Sequence, residues 1–164
     1  MKTANAAVKE ASAGRMDSGF GRFFLPGPTE VAAEVLEAQT RPMIGHRGAG
    51  IKALMERLQA GLKDVFRTER PVFVSTSSAT GLMEAAVRNG VRRKALSLVN
   101  GAFSQRFAEI VDACGFEGER MEVPWGGVFD PEAVRKRLRQ GSVDAVTVVH
   151  SETSTGASMV SHCG

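Results

Sequence analysis

The chain has 164 residues, of which 43% are hydrophobic and 24% charged, and its formal net charge is +3. This length and balance fit a globular domain able to bury a sizeable core, and they exclude a low-complexity chain. The basic clusters Arg88–Lys94 and Arg135–Arg139 have no aromatic residues interleaved for base stacking, so they read as solvated helix faces and no nucleic-acid partner is expected.

No stretch is long and apolar enough to span a membrane, and no membrane partner is expected. Cys114 and Cys163 form no CxxC pair and no Cys/His cluster with metal spacing, so no metal site is expected. Cys114 falls on the apolar side of a helix, as a small core residue does. A reducing compartment, the cytoplasm, is the simplest reading.

Residues 1–21 have no signal-peptide hydrophobic core, and their Ala, Ser, Gly and Lys content reads as a flexible arm. Glu10 and Asp17 break the acid-poor pattern of a transit peptide. Phe24 to Thr29 is a Pro/Gly turn, with Thr29 placed to cap a helix over Glu30–Gln39. Ile51, Leu54, Met55, Leu58, Leu62, Val65 and Phe66 repeat at three and four and predict an amphipathic helix. Val72–Val74 reads as a short buried strand, followed by a helix to Val87. Ala95–Val99 is a second strand and Phe103–Cys114 a helix. Met121–Val123 is a short strand, and Pro131 starts a helix to Gln140. Asp144–His150 is a further strand, and His150 at its end reads as a core hydrogen-bonding residue rather than a general base. Strands alternating with helices predict an α/β fold with a mostly parallel sheet. Ligands of such sheets bind beyond the carboxyl ends of the strands, here the loops Ser75–Thr80, Asn100–Arg106 and Ser151–Gly156.

The first of these loops is the most informative. A strand entering a helix through Ser75-Thr-Ser-Ser-Ala-Thr80 leaves backbone N–H groups unpaired at the helix start, where an anion such as a phosphate is favoured. An ordinary Ser/Thr-capped helix accounts for the same residues equally well.

Read together, five segments carry a resemblance. They are Phe24-Leu-Pro-Gly-Pro-Thr-Glu-Val31, Gly45-His-Arg47, Ser77-Ser-Ala-Thr-Gly-Leu-Met-Glu-Ala85, Asn100-Gly-Ala-Phe-Ser-Gln-Arg106 and His150-Ser-Glu-Thr-Ser-Thr-Gly156. In order and approximate spacing, the chain resembles the N-terminal part of a class V aminotransferase. It is most similar to the alanine–glyoxylate/serine–pyruvate group of fold-type I pyridoxal-phosphate (PLP) enzymes. The resemblance implies that residues 22–156 form the N-terminal part of a PLP-binding large domain, incomplete at its C-terminus. It leaves 157–164 as an atypical tail.

It further implies site residues. Ser78, Ala79 and Thr80 match the cup for the PLP phosphate. Phe103 matches the aromatic that stacks on the pyridine ring, although by itself it reads as a core residue. Thr153 matches the contact to the ring substituent, although a Thr there also caps turns. Gly45, His46 and Arg47 match a substrate-side loop or, equally, a structural turn. The implied activity is transamination between a small amino acid, alanine or serine, and a 2-oxo acid such as glyoxylate or pyruvate, by a homodimer. Phosphoserine aminotransferase, cysteine desulfurase and a non-catalytic remnant are the alternatives, and Phe103 argues against a desulfurase, where a histidine usually stacks.

The resemblance places the Schiff-base lysine, the acidic partner of the pyridine nitrogen and the carboxylate-binding arginine beyond Gly164. No catalytic residue is therefore expected within this sequence, which looks like a truncated gene, a frameshifted frame or a fragment. None of Lys2, Lys9, Lys52, Lys63, Lys94 and Lys136 matches the family's lysine motif. Surface lysines, with pKa values near ~10.4, are poor nucleophiles at neutral pH. The 164-residue chain alone is expected to show no transaminase activity. Glyoxylate-dependent consumption of alanine or serine well above a free-PLP control would overturn this.

Overall fold

The computed structural model describes residues 25–159. The arm at 1–21, Phe24 of the opening motif, Cys163 and the tail from residue 160 lie outside the described residues. The chain divides after Phe73 into two compact units.

In the first unit, α1 spans Ala33–Ala38 and α2 spans Ala49–Phe66. The N-cap of α1 is Ala32, and no side chain caps it, so Thr29 does not play the expected part. The three-and-four repeat does form α2, which ends on Arg67 in the left-handed conformation, with the Thr68 N–H bonded to the Lys63 carbonyl at 3.0 Å.

The strand expected at Val72–Val74 does not form. Gln59 of α2 takes the backbone groups that a ladder would need. Its Nε2 donates to the Val72 carbonyl at 2.6 Å, and its Oε1 accepts from the Val72 N–H at 3.0 Å. With no strand beside it, this segment stays at the surface, and Phe73 is 89% exposed.

In the second unit the order is α3 (Ala79–Gly90), β1 (Lys94–Val99), α4 (Ala102–Ala113), β2 (Glu117–Glu122), α5 (Pro131–Arg139), β3 (Ala145–Thr147), β4 (Ser151–Glu152) and β5 (Ala157–Ser158). The sheet runs β2-β1-β3, with both pairs parallel. Lys94 lies opposite Glu117, and Ala95 lies opposite Ala145. β4 and β5 form a separate antiparallel pair.

From β1 the chain crosses through α4 to one side, then through α5 back past β1 to the other. Right-handed crossovers in opposite directions place their helices on opposite faces. The core follows that rule. Ala95 on one face packs with Val87 and Val91 from the α3 end and Val111 of α4. Leu96 and Leu98 on the other face pack with Phe129 and, more loosely, with Val134 of α5. Every residue from Ala95 to Val99 is buried, as a central parallel strand requires. Cys114, at the end of α4, packs against the first cluster, in line with its apolar setting in the sequence.

β2 is longer and more polar than the apolar Met121–Val123 segment suggested. Three of its four charges have partners: Lys94 Nζ meets Glu117 at 2.7 Å and Glu119 at 3.2 Å, Arg137 grips Glu119, and Arg120 pairs with Asp112. Lys94 and Arg137 are thus tethered ions, not the free solvated face expected of the basic clusters. At the start of β1, Asp144 accepts the N–H groups of Arg92, Arg93 and Lys94 at 3.1, 2.9 and 3.3 Å. α5 carries its own stop signs. Asp130 caps it, Pro131 opens it, and Lys136, Arg137 and Arg139 lie in its last turn, matching the helix dipole.

β3 ends at Thr147 rather than at His150. Its ladder with β1 stops at the Ser97–Thr147 pair, whose hydroxyls are joined at 2.9 Å. His150 is exposed, and its carbonyl accepts the Met159 N–H at 2.7 Å. The expected core histidine is therefore a surface residue.

Hydrogen bonding from Arg137, with Lys94 adding to it, outweighs the cost of burial and holds the Glu119 carboxyl down at about 2, from an ordinary 4.5. A carboxyl whose pKa falls on folding stabilises the native state above its unfolded pKa. That stabilisation is lost as pH drops through the folded value. Melting temperature is therefore expected to fall between about pH 4.5 and pH 2, and Glu119→Gln to flatten that limb. Parallel acid limbs in the two proteins would overturn the assignment.

Candidate functional site: two helix starts beyond the sheet

Both α3 and α4 begin among small residues, and the two helices pack on each other through Val87 and Val111. Their first turns differ.

At α3, Ser78 is the N-cap, in extended conformation, and its Oγ accepts the Gly81 N–H at 3.3 Å. The Leu82 N–H reaches the Ser78 carbonyl at 3.3 Å. The capped-helix reading is therefore correct as far as it goes. It leaves the N–H groups of Ala79 and Thr80 without an acceptor among the described residues. Ser75 and Ser77 close the turn before the helix. The Ser77 N–H donates to Ser75 Oγ at 3.1 Å, and the two hydroxyls meet at 2.9 Å. Gly81 matters for space, since a Cβ there would stand 3.2 Å from Ser77 Oγ. Ser78 and Ala79 are exposed and Thr80 is half-buried, so the open donors face solvent.

At α4 the same donors are consumed inside the chain. Glu152, from the β4–β5 hairpin, is fully buried at 0% exposure. Its Oε2 accepts the Ser104 N–H at 2.8 Å and the Ser104 hydroxyl at 2.9 Å. Its Oε1 accepts the Phe103 N–H at 3.3 Å and the Ser154 hydroxyl at 2.6 Å. The remaining donor, the Ala102 N–H, bonds Ser154 Oγ at 3.0 Å. Ser104 Oγ in turn accepts the N–H groups of Asn100 and Gly101, each at 3.0 Å. Asn100 is buried as well, and its Nδ2 donates to the Gly127 carbonyl at 2.9 Å. Burial pushes the Glu152 carboxyl up. The Ser154 hydroxyl and the donors of Ser104 and Phe103 outweigh it and hold the group below its ordinary value, as a carboxylate.

Phe103 stands in the first turn of α4 and is 45% exposed, so its ring is not a core residue. Thr153, between Glu152 and Ser154, is exposed, and its hydroxyl makes no hydrogen bond among the described residues. The structure thus ties the Phe103 backbone to the carboxylate of the residue before Thr153 and sets Ser78, Ala79 and Thr80 at the start of the neighbouring helix. Gly45, His46 and Arg47 belong to the other unit, where they form an exposed bend before α2. A shallow groove along α2, lined by Lys52, Met55, Glu56, Gln59, Ala60 and Lys63, contains none of the candidate residues.

Sequence reasoning missed Glu152, Ser104 and Ser154. The available signal was a single acid among hydroxyl residues in Ser151-Glu-Thr-Ser-Thr155, together with a Gly three residues before Ser104 at a helix start.

No family model matches the sequence. Among curated proteins, an uncharacterized aminotransferase of Methanocaldococcus jannaschii is 46% identical over 136 residues, which are 81% of this chain and 35% of that protein. A serine–glyoxylate aminotransferase of Methylorubrum extorquens is 33% identical over 144 residues, 84% of this chain and 36% of that protein. Among solved structures, an alanine–glyoxylate aminotransferase from Nostoc sp. superimposes with a TM-score of 0.78 at 32% identity, covering 83% of this chain and 37% of that one. The expected fold, a parallel sheet with flanking helices from the large domain of PLP-dependent aminotransferases, is the one observed, and it is incomplete beside the full-length neighbours. The chain's homologues and structural neighbours are class V aminotransferases, the alanine–glyoxylate and serine–glyoxylate enzymes among them, and it spans about a third of their length.

Proposed function

We propose that this chain contributes the phosphate- and ring-binding part of a PLP site in an enzyme that transfers an amino group from a small amino acid, such as alanine or serine, to a 2-oxo acid such as glyoxylate or pyruvate. One observation carries the reading. Of two adjacent helix starts, one is filled by a carboxylate of the chain itself and the other offers open donors to an external anion.

The residues present fit the cofactor. Two unpaired N–H groups, the hydroxyls of Ser78 and Thr80 and the positive end of α3 suit a phosphate dianion. The half-exposed Phe103 ring suits one face of a pyridine. The Thr153 hydroxyl suits a polar ring substituent. When bound, PLP supplies an electron sink for the bond-making at the substrate's α-carbon. The chain's own residues bind and orient. Ala79 and Thr80 fix the phosphate end, and Phe103 fixes the ring plane. A homodimer is proposed for the whole enzyme.

Ala79→Pro isolates the cup. Ala79 is the first helical residue and Ser78 before it has φ −67° and ψ 161°, which a following proline accepts. The substitution therefore removes one donor while leaving the helix intact. A hydrogen bond to a charged group is worth ~1.5–3 kcal/mol, so PLP and inorganic phosphate are both expected to bind about tenfold more weakly or worse. Phe103→Ala is expected to weaken PLP but not phosphate. For the chain alone, PLP affinity is expected in roughly the micromolar-to-millimolar range. Calorimetric titration checks each value, and unchanged affinity in both folded variants would remove these loops from the cofactor site.

A further inference from the structure

We propose that Glu152 is a positioning residue that sets the Phe103 ring and Thr153 against one another from a single buried point. The proposal rests on reading those two residues as cofactor contacts.

The geometry gives Glu152 this reach. Its Oε1 holds the backbone N–H of Phe103 and, through the hydroxyl of Ser154, the residue that follows Thr153. Its Oε2 holds the next residue of α4, Ser104, by both N–H and hydroxyl. Thr153 therefore sits between Glu152 itself and a residue tied to its carboxylate, Ser154. The carboxylate is itself anchored by the β4–β5 pairing, in which Glu152 lies opposite Ala157. The site is shaped around the side chain: a Cβ at Gly101 would stand 2.4 Å from Glu152 Cγ and 2.6 Å from Cδ. The backbone of Gly101 is extended, with φ 175°, so the requirement there is for room and not for a special conformation.

Two consequences follow. By filling the start of α4 with negative charge, Glu152 leaves α3 as the place for an external phosphate, and so fixes which end of the ligand meets which helix. Buried, ionised and surrounded by donors, it has no proton to give. Its part is to hold Phe103 and Thr153, not to act as an acid or base.

Glu152→Gln keeps the shape while removing the charge, and it turns an NH2 toward groups that are themselves donors. The test compares the native 164-residue chain with Glu152→Gln, Phe103→Ala and the double variant. Three readouts are taken: thermal melting, inorganic phosphate affinity, and PLP affinity with the circular dichroism of the bound PLP absorption band. For Glu152→Gln we expect a lower melting temperature and unchanged phosphate affinity. PLP affinity should fall by up to about tenfold, the size of one aromatic stack, with loss of the dichroic band. Adding Glu152→Gln to Phe103→Ala should cost less PLP affinity than it costs the native chain, because only the Thr153 part of its effect is left to lose. A Glu152→Gln variant that keeps native PLP affinity and dichroism overturns the proposal. So does one that loses phosphate and PLP binding equally, since the residue then only holds the fold. Native binding and dichroism in Phe103→Ala would instead overturn the underlying reading of the ring contact, which separates the two failures. If Glu152→Gln does not fold, Ser154→Ala removes one donor to the carboxylate and the Ala102 bridge. It should show the same split between phosphate and PLP at smaller amplitude, and absence of the split overturns the proposal.

Discussion

A helix that begins at the end of a buried strand must dispose of backbone donors that have no partner in the helix, and α4 does so with a carboxylate from another part of the chain. That interaction organises the carboxyl end of the sheet. Glu152 joins β4 to the first turn of α4, across sequence separations of 48 and 49 residues. It is buried and ionised, which is costly unless every lone pair is occupied. Here the backbone N–H of Phe103 and Ser104 and the hydroxyls of Ser104 and Ser154 occupy them, and no buried side-chain polar atom among the described residues lacks a partner. The result is a rigid junction at the point where a doubly wound sheet places its ligands.

The other end of the sheet is held by charge as well, in a different setting. Asp144 gathers three consecutive N–H groups at the start of β1, and the Lys94–Glu117–Glu119–Arg137 network ties β2 to β1 and to α5. An edge strand with paired charges is a poor template for further strand addition on that side. β3, the other edge, is Ala145-Val-Thr147, and its Val146 and the following Val148 are exposed. The two edge strands thus differ in chemistry: β2 carries four charged residues and β3 none.

Much of the fold was legible because periodicity alone specifies it. The three-and-four repeat of α2, the largely apolar run Ala95–Val99 of β1 and the Asp130-Pro131 start of α5 each translate directly into the observed element. The failures share a cause. At Val72 a distant side chain, Gln59, competes for the backbone, and no local pattern reveals it. The first part of β2, before Met121, escapes a local reading because Glu117, Glu119 and Arg120 are satisfied by residues from β1, α4 and α5, so it reads as a polar loop. His150 was placed in the core on the assumption that an apolar run stays paired to its end, whereas the ladder stops at Thr147. The site residues followed the same division. Ser78 is a local cap and was legible. Glu152 acts across the fold and was not.

Phe103 shows how the fold settles a choice the sequence leaves open. Phe103, Phe107 and Val111 share one helical face by spacing, so all three are equally good candidates for the core. Val111 is completely buried and Phe107 packs against the same cluster, but Phe103 is half-exposed. The difference is position along the helix. Phe103 lies in the first turn of α4, where the chain has only just left β1 and the helix start is held by the hairpin rather than by apolar side chains. A large apolar ring left half outside the core at this hydrogen-bonded junction forgoes part of the stabilisation of full burial, which is about 1.5–3 kcal/mol for a side chain of its size. A flat ligand laid on that face would recover part of it.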